Sequence, residues 1–481
     1  MQSKNNHLWT MLAIFVATFM TSVEVTIVTT ALPEIIAALH GLKYQSWIMS
    51  SYLLTTAIST LIYGKLADTY GRKLLFKLGV VLFTIGSLLS GLAPNIFWLI
   101  IARGLQGCGA GAVIPLTFTI IADLYSFKER ARILAFTNTA WGFSALIGPL
   151  LGGFLVEKLS WHWVFFVNVP LGVFVWLVIT IFYQDRYQRL AALNFDLAGC
   201  CWLAASLTCL LLGIQLLQNQ PIFGIVIITL AGLGSWCFLR QEKKATYPLL
   251  PLQIFNNQTF NVQIMTATIL SGVLIGYQVY FPIWLQSIYQ ANATKAGLVV
   301  TSSSVMWLAT SLAVGPLLNK FSPRKIALTV ILLQALSYLS LLFVGNQPID
   351  WIFYLIAAIS GGGMGIVITM NIMLSQQLVT KDLVASASAL ITLGRSLGQT
   401  IMTGIYGAVF NTILNFGLPL TLQKKTNQVI SGSHSGLTMH EITTIISSLL
   451  IALHVVFGVV LILFILVLIC NYLDPNRQRL R

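Results

Sequence analysis

An all-α integral membrane protein is the fold class that this sequence predicts, and three observations carry the prediction. The first is composition: of 481 residues, 57% are hydrophobic and only 8% are charged, where a water-soluble domain carries about 25% charged residues. The second is recurrence. Stretches of about 20 mostly apolar residues, the length that crosses a bilayer core, fall at 8–32, 46–66, 75–93, 97–121, 133–156, 163–183, 197–217, 222–239, 260–283, 296–318, 326–345, 351–374, 386–411 and 446–471, which makes fourteen predicted transmembrane helices. The third is where the charge sits. A formal net charge of +14 by itself suits a nucleic-acid partner, but the basic residues crowd into alternate loops. One set holds Lys65, Arg72, Lys73 and Lys77; Lys128, Arg130 and Arg132; Arg240, Lys243 and Lys244; Lys320, Arg324 and Lys325. The loops between them hold Lys43, Lys158, Lys295, Lys424 and Lys425. This asymmetry is the positive-inside pattern of a multi-pass protein with both termini cytoplasmic, and the predicted partner is the lipid bilayer, with no nucleic acid.

The first span holds Glu24, the only carboxylate well inside any of the long apolar stretches. An ionised acid at bilayer depth costs about 2.5–3.5 kcal/mol, so such acids are functional hypotheses by default. A side chain balanced against that cost is suited to exchange a proton at cellular pH; the alternative is a structural carboxylate hydrogen-bonded to neighbouring threonines. No signal-peptide cleavage pattern follows this span, so it is expected to stay in the mature protein. Glu34, after Pro33 at the outer end, reads either as a second proton or cation site or as a solvated helix end. In the fourth span Arg103 is a permanent charge that must face a partner, carbonyls or water. Gln106 lies one turn on, placed to share its hydrogen bonds. Arg395, in the thirteenth span, either snorkels to the inner surface or serves as counter-charge for an anionic substrate.

Between spans most loops are short, which makes sequential helices antiparallel neighbours. Two connections are longer: 240–259 reads as an inside connector and 412–445, with Ser431–Gly436, as an outside loop. An internal echo links the run Gly64 to Lys73 after span 2 with Gly315 to Lys325 after span 10. Matching span 9 to span 1 gives six helices over 1–190, two inserted helices over 191–245 and six more over 246–481. Repeated halves with a site between them mark transporter folds. The six cysteines all fall in apolar spans and read as small hydrophobes, with no disulfide framework and no zinc site. The Gly-rich runs Gly107–Gly111 and Gly361–Gly365 follow no strand, and no Walker-type run is present, which argues against nucleotide binding. No nucleophile, metal or cofactor constellation supports an enzyme.

Five motifs in order carry a family resemblance over essentially the whole chain. Gly64-Lys-Leu-Ala-Asp68-Thr-Tyr-Gly71-Arg72-Lys73, Arg103-Gly-Leu-Gln106-Gly107-Cys-Gly109, Gly148-Pro149-Leu-Leu-Gly152-Gly153, Glu24-Val-Thr26-Ile27-Val28-Thr-Thr-Ala31-Leu32-Pro33 and Trp161-His-Trp163-Val-Phe165-Phe-Val-Asn168-Val-Pro170 resemble signatures of the major facilitator superfamily and of its fourteen-helix drug:proton antiporter branch. Departures are Thr69 for Arg, Ser144 for the leading Gly of the span-5 motif, His162 for Arg and Glu24 for Asp.

The resemblance implies a major facilitator fold. It also implies export of amphipathic or cationic toxic compounds in exchange for protons, driven by the proton gradient without a cofactor, in a bacterial cell membrane by a monomer. It implies proton coupling at Glu24 and Arg103, a gating latch at Gly64, Asp68, Gly71, Arg72 and Lys73 in an inside loop, and close helix packing at Gly148, Pro149, Gly152 and Gly153. With spans 1, 2, 4, 5, 9, 10, 12 and 13 lining the pathway, Tyr52, Asn138, Gln263, Trp307 and Asn371 join Glu24 and Arg395 as candidate substrate contacts; ordinary packing is the alternative for each. Two other functions stay open: a transporter of a specific metabolite, lipid or anionic compound, and a scaffold or sensor that transports nothing.

Overall fold

The computed structural model describes residues 2–125, 127–185, 196–217, 220–245, 252–345, 347, 350–379, 384–430 and 437–475. Among these residues every regular element is a helix, as expected where lipid offers the backbone no hydrogen-bond partners. The chain divides into two compact units. One comprises Met1–Ala31, Trp47–Leu210 and Val226–Leu249; the other comprises Leu32–Ser46, Leu211–Ile225 and Leu250–Arg481.

The first unit is built from α1 (Gln2–Ala38), α2 (Gln45–Tyr70), α3 (Arg72–Gly91), α4 (Ile96–Leu124), α5 (Phe127–Lys158), α6 (Trp163–Phe166), α7 (Asn168–Phe182), α8 (Leu197–Leu216) and α9 (Pro221–Lys244), of which α1, α2, α8 and α9 each have one end in the second unit. Its core joins α1, α3, α4 and α7 through Ile14, Ala17, Phe76, Val80, Val113, Leu116, Val175 and Ile179. α4 starts where Asn95 Oδ1 accepts from Trp98 N at 2.9 Å, satisfying one of the orphan donors of a helix N-terminus.

The second unit holds α10 (Gln258–Ser287), α11 (Ala293–Ser311), α12 (Val314–Lys320), α13 (Pro323–Leu339), α14 (Asp350–Gln377), α15 (Val384–Gly417), α16 (Leu420–Ile430) and α17 (Met439–Tyr472). α11 packs on α14, α10 on α15 and α13 on α17, around an aromatic cluster that includes Phe281, Trp284, Phe353 and Phe457. Asn257 and Asn292 cap α10 and α11, and Thr438 with Glu441 forms a capping box on α17.

Each of the fourteen predicted stretches falls on helix, but the crossing count differs. Among the described residues ten helices are long and apolar enough to span a bilayer, or eleven if α11 and α12, bent by 52°, make one span. α2 and α15 are not among them, being rich in Ser and Thr (Ser46, Ser50, Ser51, Thr55 and Thr56 on α2), and the apolar part of α8 is short, Ala198–Ile214. Two expectations are corrected. The inside loop after span 2 is a single residue, because α2 runs to Tyr70 and α3 starts at Arg72. The outside loop 412–445 is largely helix: α15 reaches Gly417, α16 follows, and α17 starts at Met439, while Ser431–Gly436 lies outside the described residues. The segment Leu420–Ile430 reads as polar, yet it buries Val429 and Ile430 and holds Lys425 Nζ 2.6 Å from Glu441 Oε1.

Candidate functional site

Glu24 and Arg103 meet as an ion pair with both side chains fully buried. Arg103 Nη1 donates to Glu24 Oε1 and, at 2.7 Å, to Gln106 Oε1. Gln106 Nε2 donates to Ser87 Oγ at 3.0 Å. Asn168 Nδ2 donates to Glu24 Oε2 at 2.7 Å and lies 3.3 Å from Ser87 Oγ. Five side chains from α1, α3, α4 and α7 thus close a ring of hydrogen bonds. The ring is braced from outside: Arg103 Nε donates to Ile48 O at 3.1 Å, Ser87 Oγ donates to Phe165 O at 2.9 Å, and the Tyr52 ring lies 4.3 Å from the guanidinium carbon. Tyr52 is itself buried, with its hydroxyl donating to Thr21 O at 3.1 Å.

This geometry separates two readings of Glu24. The neighbouring threonines do not hold it; Thr21 and Thr26 bond carbonyls of their own helix, Ala17 O and Val23 O. Glu24 is instead held by charge and by side-chain amide. Burying two charges is costly unless their partners are complete, and here Glu24 accepts on both oxygens while guanidinium cannot take or give a proton. Within the ring Glu24 is the group that can titrate. Gln106 lies where its spacing placed it. Asn168 and Ser87 were missed: neutral polar residues are common in spans, and the one available signal was Asn168's place in the span-6 motif.

Ser144, Gly148 and Gly152 form a stripe at four-residue spacing on α5 that receives α1. A Cβ at Gly148 would fall 2.1 Å from Thr26 Oγ1, and one at Gly152 would fall 2.2 Å from Thr30 Oγ1 and 2.5 Å from Ile27 O. Ser144 at the leading position donates to Phe19 O at 3.0 Å, so it bonds the helix that a glycine would only let approach. Pro149 and Gly153 are buried beside this stripe. Small residues that admit a neighbouring backbone are the usual currency of helix contact in membranes.

The predicted latch residues sit at helix ends. Gly64 and Asp68 belong to the last turns of α2, and the Asp68 side chain lies outside the described residues. Gly71 caps α3 with φ +88°, where a Cβ would be strained and would sit 2.9 Å from Asp185 Oδ2. That same oxygen accepts from Lys73 N at 3.1 Å. Lys73 Nζ donates to Thr180 O at 2.9 Å, and Arg72 Nη1 donates to Thr119 O at 3.2 Å. The described acid at the start of α3 is therefore Asp185, from the chain just after α7.

The remaining candidates fall apart into separate places. Glu34 is half-buried on α1. Arg395 Nε lies 3.4 Å from Ser271 Oγ, and the guanidinium carbon lies 5.8 Å from the Trp307 ring; among the described residues it has no carboxylate partner. Asn371 and Gln263 are buried together elsewhere, Asn371 Nδ2 donating to Gln263 O at 3.2 Å. The Asn138 side chain lies outside the described residues.

Known proteins match this chain over most of its length. The sequence profile of the Major Facilitator Superfamily matches residues 14–403. Multidrug transporter protein MdtP of Bacillus subtilis (strain 168) is 32% identical over 416 residues, covering 85% of this chain and 76% of that one. Multidrug resistance protein 3 of the same organism is 30% identical, over 88% of this chain and 81% of that one. The multidrug efflux pump SdrM of Staphylococcus aureus (strain N315) is 28% identical, over 84% and 93%. Among solved structures, a bacterial homologue of the human lysosomal transporter Spinster superposes with a TM-score of 0.70 at 14% identity, over 97% of this chain and 96% of that one; at that identity the likeness concerns the fold alone.

Proposed function

The chain belongs to the Major Facilitator Superfamily, as a multi-pass membrane transporter homologous to multidrug efflux pumps, and from that premise we propose that it is a proton-coupled antiporter exporting amphipathic or cationic toxic compounds. The proposal includes the fourteen-helix arrangement of six, two and six over 1–190, 191–245 and 246–481. It also includes cytoplasmic termini, a monomer in a bacterial cell membrane, and alternating access driven by the proton gradient.

One observation carries the reading: a carboxylate at bilayer depth, Glu24, is paired with an arginine that cannot titrate. With Glu24 ionised the pair is neutral; a proton on Glu24 leaves the charge of Arg103 uncompensated. A cationic substrate about 8 Å from that charge is then repelled by roughly 2 kcal/mol at an effective dielectric of 20. Proton and cation exclude one another, which is exchange. Each proton driven inward by 100 mV supplies about 2.3 kcal/mol, enough for roughly a 50-fold gradient of an uncharged substrate, while exchange for a singly charged cation is electroneutral and draws on the pH difference. The stripe Gly148–Gly152 and the α2–α3 turn at Gly71, Arg72 and Lys73 are the packing elements on which the two access states turn. The test is ethidium export by proteoliposomes under an imposed pH gradient. Glu24→Gln should abolish export while the protein still inserts, and undiminished export would remove Glu24 from the mechanism.

A second reading is favoured by Arg395, whose charge lacks a carboxylate partner among the described residues. It is export or uptake of an anionic compound, with Arg395 and Trp307 as contacts. Arg395→Ala should then abolish accumulation or export of anionic test compounds while sparing ethidium.

A further inference from the structure

The ring around Glu24 is complete only for the ionised acid. Both carboxylate oxygens face N–H donors: Arg103 Nη1 on Oε1 and Asn168 Nδ2 on Oε2. Once protonated, one of those oxygens becomes a donor and needs an acceptor. Arg103 carries donors only. Gln106 already accepts from Arg103. Tyr52 is tied to Thr21 O. Asn168 carries an acceptor that takes no bond at all: its Oδ1 is buried and has no partner among the described residues, and the whole side chain is fully enclosed.

We infer that Asn168 is the positioning residue for proton uptake at Glu24, turning its amide from donor to acceptor as the proton arrives. A half-turn about the Cβ–Cγ bond exchanges Nδ2 for Oδ1 at the same place. Glu24 Oε2–H then donates to Asn168 Oδ1; the new O–H bond on Glu24 forms as a hydronium ion gives up its proton and is left as water. The turned amide also presents Oδ1 to Ser87 Oγ, which can swing its hydroxyl from Phe165 O to Asn168. The bond that fastens α3 to Phe165 at the end of α6 is thereby released. Proton binding is in this way linked to the packing of α6 and α7 on α3. Among the described residues the titratable and charged groups facing Glu24 are Arg103 from α4 and Tyr52 from α2; α3 and α7 contribute Ser87 and Asn168, which are neutral.

The inference rests on Glu24 as the titrating group, and the test separates the two claims. Infrared difference titration of the reconstituted protein follows the carboxylic C=O band that Glu24→Gln removes, in the wild type, Asn168→Leu and Asn168→Ser. A hydrogen bond to the charged form is stronger than one to the neutral form, so Asn168→Leu should move the midpoint of that band upward by about one pH unit, a tenfold change in proton affinity. The hydroxyl of Asn168→Ser, able to donate and accept, should bring the midpoint most of the way back. The band frequency should also rise in Asn168→Leu, where the C=O–H group has lost its acceptor. Should Asn168→Leu fail to fold, Asn168→Ser carries the test through a frequency shift of the same band. An unchanged midpoint and frequency in the folded variants, with a clear wild-type band, overturns the role of Asn168 and leaves Glu24 standing. Absence of any band sensitive to Glu24→Gln overturns both.

Discussion

On α4, Gly107 and Gly111 lie against Tyr52 O and Thr56 O of α2, where a Cβ would fall 2.4 and 2.7 Å from those carbonyls. On α14, Gly361 and Gly365 lie against Ser303 O and Trp307 O of α11, at 1.9 and 2.4 Å. The contact with the next helix also repeats, as Gln106 Nε2 to Ser87 Oγ in the first unit and Tyr338 OH with Ser360 Oγ at 3.1 Å in the second. In that register Arg103 corresponds to Ala357, and no charge stands where the ion pair would be. Buried Tyr277 and Ser303 bond one another there, and Gln334 Nε2 donates to Ser360 O at 2.8 Å. One backbone arrangement therefore supports a charged cluster in one unit and a neutral, hydroxyl- and amide-based cluster in the other. Close approach of the helices is a property of the glycines, and the chemistry is a property of the residues one turn away.

The largest way to break the comparison is to remove the charge. Arg103→Ala leaves Glu24 buried without its counter-charge, a loss of about 3–5 kcal/mol for one half of a buried pair. Transport should vanish and the melting temperature of purified protein should fall. Arg103→Lys should not restore transport, because an ammonium cannot reach Glu24, Gln106 and Ile48 O together. Next come the glycines. Gly107→Ala and Gly361→Ala should each cost about 1–3 kcal/mol by overpacking, seen as matched drops in thermal stability. Gly362→Ala, where the nearest atom would be 3.4 Å away, should change little. Gly71→Ala should cost about 1–2 kcal/mol from its positive φ. A smaller loss than at the tight glycines belongs to the neutral cluster: Tyr338→Phe should cost about 0.5–1.5 kcal/mol of stability and leave the pH profile of transport unmoved, while Gln106→Leu should move it.

Charges at bilayer depth were legible in the sequence because lipid makes them expensive, and so Glu24, Arg103 and the neighbouring Gln106 stood out. The helices were legible for the same reason, since apolar length is written in the chain. Asn168 and Ser87 were not, because an uncharged polar residue in a span costs little and its partner is fixed only when α3, α4 and α7 pack together. Asp185 was hidden as an ordinary acid after a helix; the positive φ of Gly71 and the start of α3 give it a role. α16 was read as loop because its Lys, Gln and Thr outweigh the two apolar residues it buries. The crossing number is least legible at α2 and α15, whose hydroxyl-bearing residues dilute the apolar signal by which a span is recognised.

The most direct measurement is of protons released when substrate binds. With purified protein in weak buffer and a pH-indicator dye, ethidium added near neutral pH should release protons from the wild type and none from Glu24→Gln, with the release shrinking as the pH rises and Glu24 is already ionised. Equal proton release from both proteins would contradict the account.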